Sequence, residues 1–237
     1  QVALDVKRPK PERAVALCWL LHLYGDGHQP CHAGSLYTVD AFPDGDLGGN
    51  RIKVKDRISI HAIWDSQLGS QTTPWEIAKR TKEIQADTKL AEFARSKAND
   101  SHPSAWLHED RKLAQRYVYT VELFAALPSA PKDKRGNVEL PNLSTTYFDD
   151  AARIARRQAA VAGARLSPLL QRIAWAIQLQ DNPMENANAL IGNPENKNDK
   201  LLTKKGESYV IHLPKGGTTE LDLTGVEGNI KVSWFHP

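Results

Sequence analysis

Five side chains between residues 22 and 65, His22, Asp26, His32, His61 and Asp65, combine metal-binding chemistry with a spacing that could bring them together. In His22-Leu-Tyr-Gly-Asp26, and again in His61-Ala-Ile-Trp-Asp65, a histidine precedes an aspartate by four residues, a spacing that puts both on one face of a helix. Imidazole nitrogen and carboxylate oxygen are both suitable zinc donors. His32 lies six residues beyond Asp26, after Pro30, which breaks a helix and lets the chain turn back toward the same pocket. A single His–Asp pair at this spacing is ordinarily an ion pair or a solvated face. The repeated spacing, His32, and the apolar run around His22 argue instead for a shared site, because an unpartnered buried ring costs roughly 1–3 kcal/mol. A proton acceptor or a metal would each satisfy His22.

The elements that must position these residues follow from patterning. Residues 12–24, ERAVALCWLLHLY, are almost wholly apolar and free of Pro and Gly. They predict a helix buried on most sides, ending at Gly25 and delivering His22 to the interior. Residues 33–58 turn to Gly, Asp and Pro and read as a long loop with one strand-like piece at 51–55. Helical composition returns at 61–69, 74–97, 104–127 and 145–180, with Ser167 and Pro168 placed to restart the last helix. Residues 1–180 therefore read as an all-α body. The Asn- and Pro-rich stretch 181–200 reads as a linker. Residues 201–237 read as a small β module, with strands in ESYVIHL, TELDL and NIKVSWF. Such a short piece makes a poor core of its own and must lean on a neighbour or be incomplete.

With 237 residues, 41% hydrophobic and 25% charged, the composition excludes disorder, collagen and coiled-coil arrays. Thirty-one Lys and Arg against 28 Asp and Glu leave +3, well short of the balance expected where phosphate contacts to duplex DNA dominate. The longest apolar run, 14–21, is too short to span a bilayer. The first ten residues lack an initiator Met and the order of a secretory signal; they predict a chain that starts inside a longer product, with any targeting signal upstream. Cys18 and Cys31 cannot form a disulfide framework and are expected free and buried.

HLYGDGHQPCH, GDLGGNRIKV and HAIWD, in that order, resemble the S1/P1 nuclease family over about residues 12–180. The resemblance implies the all-α catalytic fold shared with zinc phospholipase C. It also implies a hydrolase acting on ester bonds: a zinc-dependent phosphodiesterase that cleaves single-stranded DNA and RNA to 5′-nucleotides by metal-activated water, with 3′-nucleotidase activity. Carried onto this chain, His32, His61 and Asp65 match the protein ligands of one zinc. His22 and Asp26 match ligands on the other side of a cluster of up to three zincs, with Asp26 bridging two of them. Asn50 matches a residue that contacts the substrate base, beside Gly48 and Gly49. The family's remaining ligands come from a region before this chain begins, so one zinc site is expected complete and the others underliganded. A catalytically incomplete metal-binding scaffold and a zinc phospholipase C-like phosphoesterase are the alternatives; the Gly-Gly-Asn loop favours the nuclease. The resemblance further implies a secreted or periplasmic location.

Other residues receive more ordinary expectations. His28 is expected beside the ligands or at the surface, His102 and His108 at the surface, and Cys31 as a small apolar replacement. Tyr37 and Phe42 either stack on unpaired bases or pack the loop. Arg153, Arg156 and Arg157 form a solvated basic face. The tail, through YVIHLPKGG and VSWFHP, resembles a collagen-binding module and implies contact with matrix or a cell surface.

Overall fold

Most helices begin at a side chain that caps them. The computed structural model describes residues 1–54, 57–69, 73–100, 102–181, 185–186, 200–204, 208–212 and 220–228. It divides into a unit of Ala14–Leu169 and a unit of Gln1–Arg13 with Leu170–Pro237. Seven α-helices run through it: α1 (Lys10–Asp26), α2 (Ile60–Asp65), α3 (Pro74–Ala86), α4 (Thr88–Lys97), α5 (Pro103–Leu113), α6 (Val121–Ala126) and α7 (Thr145–Asp181). The body is all-α, as its periodicity predicts.

Three helices differ from expectation, each for a local reason. The helix expected over 74–97 breaks at Asp87, whose carboxylate accepts the Leu90 N–H at 3.0 Å and starts α4. The one expected over 104–127 is interrupted after α5 by a wide turn, Ala114–Val118, before Thr120 caps α6 through the Leu123 N–H at 3.4 Å. α7 runs on through Pro168 rather than restarting there; the proline costs one internal hydrogen bond without breaking the helix.

α1 departs further. Within it only Arg13 is buried, while Val15, Trp19, Leu21 and Leu23 are all about half exposed. His22 is exposed as well, at 62% of its side chain. A helix buried on most sides that carries His22 inward is thus not what forms. Apolar composition says that a face prefers cover, not which neighbour covers it.

The core of the larger unit gathers Phe42, Ile52, Ile60, Val118, Leu123, Val138 and Ile154, all essentially sealed from solvent. Short α2 is fastened into it by Ile60, Ile63 and Trp64, spaced to share one helix face. Trp64 Nε1 donates to Tyr147 Oη at 3.0 Å, and the Tyr147 hydroxyl donates to the Val118 carbonyl at 3.3 Å. His61 and Asp65 take the remaining face. β1 (Ile52–Lys53) pairs in parallel with β2 (Val138–Glu139), Ile52 opposite Val138, and so anchors the end of the long loop. In the other unit, Arg13 Nε donates to the Ala3 carbonyl at 3.3 Å. There, β3 (Glu185–Asn186), β4 (Lys200–Lys204) and β5 (Ser208–His212) form an antiparallel sheet with Leu202 opposite Val210. The strand expected in NIKVSWF lies outside the described residues.

Asp110 is a buried carboxyl beneath α7. Its Oδ1 accepts from Gln158 Nε2 at 2.6 Å, and its Oδ2 has no hydrogen-bond partner among the described residues. Burial pushes its pKa up to about 7, against the opposing effect of the Gln158 bond. Two outcomes follow for stability. Leu123→Ala should cost about 3 kcal/mol in denaturant unfolding, whereas Val121→Ala, at an 85% exposed site, should change it by less than about 0.5 kcal/mol. Because folded Asp110 holds its proton to higher pH than an unfolded carboxyl near 4, stability should fall as pH rises from about 4 to 7. Asp110→Asn should flatten that part of the profile.

Candidate metal centre

The five candidate ligands form one continuous chain of contacts. His22 Nε2 lies 3.1 Å from Asp26 Oδ2, and Asp26 Oδ1 lies 3.7 Å from His32 Nδ1. His32 Nε2 lies 3.2 Å from His61 Nε2, and His61 Nε2 lies 3.5 Å from Asp65 Oδ2. Three of the five close into a compact group: one donor atom each from His32, His61 and Asp65 lie within 4.8 Å of one another. His22 and Asp26 stand beside this group as a pair on the last turns of α1.

Local structure explains the convergence. α1 ends at Asp26, and Pro30 opens a short 3-10 turn, Pro30–Ala33, which carries His32 back. Ser59 caps α2 by accepting the Ala62 N–H at 3.1 Å, which fixes where His61 and Asp65 leave the core. Gln29 joins the two segments: its Nε2 donates to Asp65 Oδ1 at 2.9 Å, and its Oε1 accepts the Cys31 N–H at 2.5 Å. Gln29 thereby engages one carboxylate oxygen of Asp65 while the other faces His61.

The protonation of the two central rings follows from their partners. His32 Nδ1 lies 3.1 Å from the Asp26 carbonyl oxygen, and His61 Nδ1 lies 2.9 Å from that of Gly48. A carbonyl only accepts, so each Nδ1 carries a proton, and in the neutral ring each Nε2 presents a lone pair. Two such lone pairs 3.2 Å apart repel unless a proton or a cation lies between them. Two nitrogens on one tetrahedral zinc, with bonds of about 2.0–2.1 Å, would stand roughly 3.3 Å apart. The donor set and its spacing therefore fit a zinc ion held by His32, His61 and Asp65, each imidazole oriented by a carbonyl as metal-bound histidines ordinarily are.

The other candidates settle into clear places. Asn50 is exposed on the loop, its Nδ2 donating to the Leu47 carbonyl at 3.0 Å, two residues from the Gly48 carbonyl that holds His61. Phe42 is fully buried and packs the loop, while Tyr37 is 67% exposed. Cys31 is free and buried, and burial drives its thiol pKa far above the ordinary range, so it does not offer a thiolate; Cys18 is free but exposed, contrary to expectation. His102 and His108 are exposed, the former against Ser104 Oγ at 2.8 Å. Arg153 pairs with Asp150, Arg156 reaches the Glu83 carbonyl, and Arg157 lies over Phe93.

His28 is buried rather than at the surface. Its Nδ1 donates to the Tyr24 carbonyl at 2.7 Å, so its Nε2 accepts from Arg165 Nη1 at 2.9 Å. Burial, with the Arg165 charge adding to it, lowers its pKa and keeps it neutral. Arg165 also donates to Glu109 Oε2 at 2.8 Å and lies over Trp106. Burial alone would raise the Glu109 pKa, but hydrogen bonds from Arg165 and Lys97 prevail and hold it below the usual range. This buried network ties the Gly27–Gln29 corner, just before His32, to α5 and α7. Sequence reasoning missed Gln29, Arg165 and the Gly48 carbonyl. A Gln adjoining Pro30 between two candidate ligands was the available signal for the first; backbone carbonyls leave none.

Comparison with known proteins identifies the family. The model of the S1/P1 Nuclease family matches residues 1–175, and the chain belongs to that family. It is 26% identical over 172 residues to Endonuclease 3 of Arabidopsis thaliana, covering 67% of this chain and 51% of that protein. It is 27% identical over 173 residues to Endonuclease 4 of the same plant, covering 67% and 50%. The chain thus spans about half the length of these curated relatives. No solved structure matches it. The family match ends before the tail and lends no support to its likeness to a collagen-binding module.

Metal content tests the grouping. His61→Ala or Asp65→Ala should lower bound zinc by about one ion per chain in elemental analysis by mass spectrometry, and His108→Ala should leave it unchanged. Equal zinc in all three would refute the assignment.

Proposed function

We propose that this chain is the metal-binding part of a zinc-dependent phosphodiesterase that hydrolyses single-stranded DNA and RNA to 5′-nucleotides and removes 3′-phosphates. The observation that carries this reading is the facing pair of Nε2 atoms on His32 and His61, 3.2 Å apart and closed by Asp65, in a chain of the S1/P1 nuclease family. When bound, zinc supplies Lewis-acid polarisation of a phosphoryl oxygen and makes water nucleophilic near neutral pH.

The protein's own residues do the rest. His32, His61 and Asp65 hold one ion, with Gln29 and the Asp26 and Gly48 carbonyls setting their orientation. Asp26, with one carboxylate oxygen toward His22 and the other toward His32, would with His22 hold further zinc. Asn50 offers its exposed amide to a base. An unpaired strand can turn its bases out toward such a group, and a stacked duplex cannot do so without the cost of opening. No side chain need serve as the attacking nucleophile. Action outside the cytoplasm, secreted or periplasmic, belongs to the same proposal. Among the described residues, no helix is long and apolar enough to cross a membrane.

A second reading has one observation behind it: His22 and Asp26 make a two-donor pair on an exposed face of α1, which fits a metal-binding scaffold without turnover. Elemental analysis together with release of acid-soluble nucleotides from single-stranded DNA separates the two. Cleavage by the chain, alone or together with the segment that carries the family's remaining ligands, supports the nuclease; zinc without cleavage in both cases supports the scaffold; no zinc refutes both. Asn50→Ala should weaken binding of a short single-stranded oligonucleotide about three- to tenfold, the worth of one hydrogen bond, and leave binding of an abasic oligonucleotide unchanged.

A further inference from the structure

The loop between the two metal-ligand segments is organised around a buried carboxylate that none of the functional readings uses. Asp46 is fully sealed from solvent. Its Oδ1 accepts from Ser35 Oγ at 3.0 Å, from the Leu36 N–H at 2.8 Å and from the Tyr119 hydroxyl at 3.1 Å. Its Oδ2 accepts the Gly49 N–H at 2.9 Å. Its own N–H donates to the Leu36 carbonyl at 3.0 Å, and its carbonyl accepts the Arg51 N–H at 3.0 Å. Such a charge is tolerated in the interior because the hydrogen bonds replace its water.

The bond to Gly49 matters most. Gly48 C=O and Gly49 N–H belong to one planar peptide, and in a trans peptide the two point to opposite edges. One edge donates to Asp46 Oδ2, and the other accepts from His61 Nδ1 at 2.9 Å. Both residues take positive φ, +63° at Gly48 and +86° at Gly49, where a side chain is strained. A Cβ on Gly48 would also run into the Cys31 carbonyl oxygen, next to His32. This peptide is wedged between the two segments that supply the ligands, and the carboxylate decides which way it faces.

From this geometry we infer that Asp46 is a positioning residue for the metal centre, acting on His61 through the Gly48–Gly49 peptide. Turning the Gly49 N–H toward Asp46 aims the Gly48 carbonyl at His61 and holds the imidazole proton on Nδ1, which leaves Nε2 bare toward His32. The hydrogen bond to an anion also polarises the peptide and makes its carbonyl a stronger acceptor. Outer partners of this kind are typically worth 10–100-fold in metal affinity. The inference rests on the proposed metal centre, and it adds to that centre a residue whose removal leaves every ligand in place.

The test uses the full chain with zinc alone. Asp46→Asn should weaken zinc affinity about 10–100-fold by competition with a chromogenic chelator. In the metal-free protein, ¹⁵N spectra should show His61 passing from the Nδ1–H tautomer to a mixture. Tyr119→Phe removes a different donor from the same carboxylate; it should lower thermal stability while leaving the His61 tautomer and zinc affinity as in the parent. A tautomer and affinity unchanged in Asp46→Asn, or lost equally in Tyr119→Phe, would overturn the inference and show a purely structural carboxylate. Should Asp46→Asn not fold, amide exchange in the unaltered chain decides: the Gly49 N–H should be protected, and rapid exchange there overturns the inference. If the parent chain binds no zinc while His61 keeps its tautomer, the metal centre falls and the orienting role of Asp46 stands.

Discussion

The candidate centre depends on one constraint: an imidazole can present a lone pair at a chosen point only if its other nitrogen is given an acceptor. Both central rings meet it with backbone carbonyls, those of Asp26 for His32 and Gly48 for His61. Carbonyl oxygens only accept, so the fold selects the Nδ1–H tautomer of each neutral ring. Besides the candidate ligands, the fold therefore supplies the placement of two carbonyls, one at the end of α1 and one in a glycine turn.

That placement explains how little regular structure the site contains. α2 has six residues and the turn bearing His32 has four, too short to persist alone. Each is held by side chains on its far side: Ile60, Ile63 and Trp64 for α2, and the buried Pro30 and Cys31 for the turn. Polar anchors complete the arrangement, Trp64 to Tyr147 on one flank and His28 to Arg165 on another. Core packing and the grouping of the candidate ligands are here the same problem, because the residues that bury these pieces alternate with His32, His61 and Asp65.

The sequence made part of this legible. Repeated His-to-Asp spacing marks both helical pairs, and Pro30 marks the turn that brings His32 back, so all three residues of the compact group stand out in the sequence. The all-α body and the loop from residue 33 also follow from periodicity and from Gly, Asp and Pro content. What was hidden depended on contacts distant in the chain. The exposure of α1 was not readable, since an apolar run does not say what lies against it. Asp87 looked like an ordinary helical residue until its cap appeared, and His28 showed its buried partner only when α7 folded across it. Asp46 sat within a recognisable motif, yet its role requires knowing which edge of a peptide faces which neighbour.

The hydroxyl that helps seal Asp46 comes from Tyr119, 73 residues further along, and the bond that secures α2 joins residues 83 apart. Contacts closing such long stretches of chain form late, because the entropy of loop closure is lost before they return anything. The helices between them can appear early, while the pocket takes shape only as Tyr119 and Tyr147 are captured. A nascent or partly unfolded molecule would then carry all five candidate ligands without assembling them, and tight ion capture would report that folding is complete.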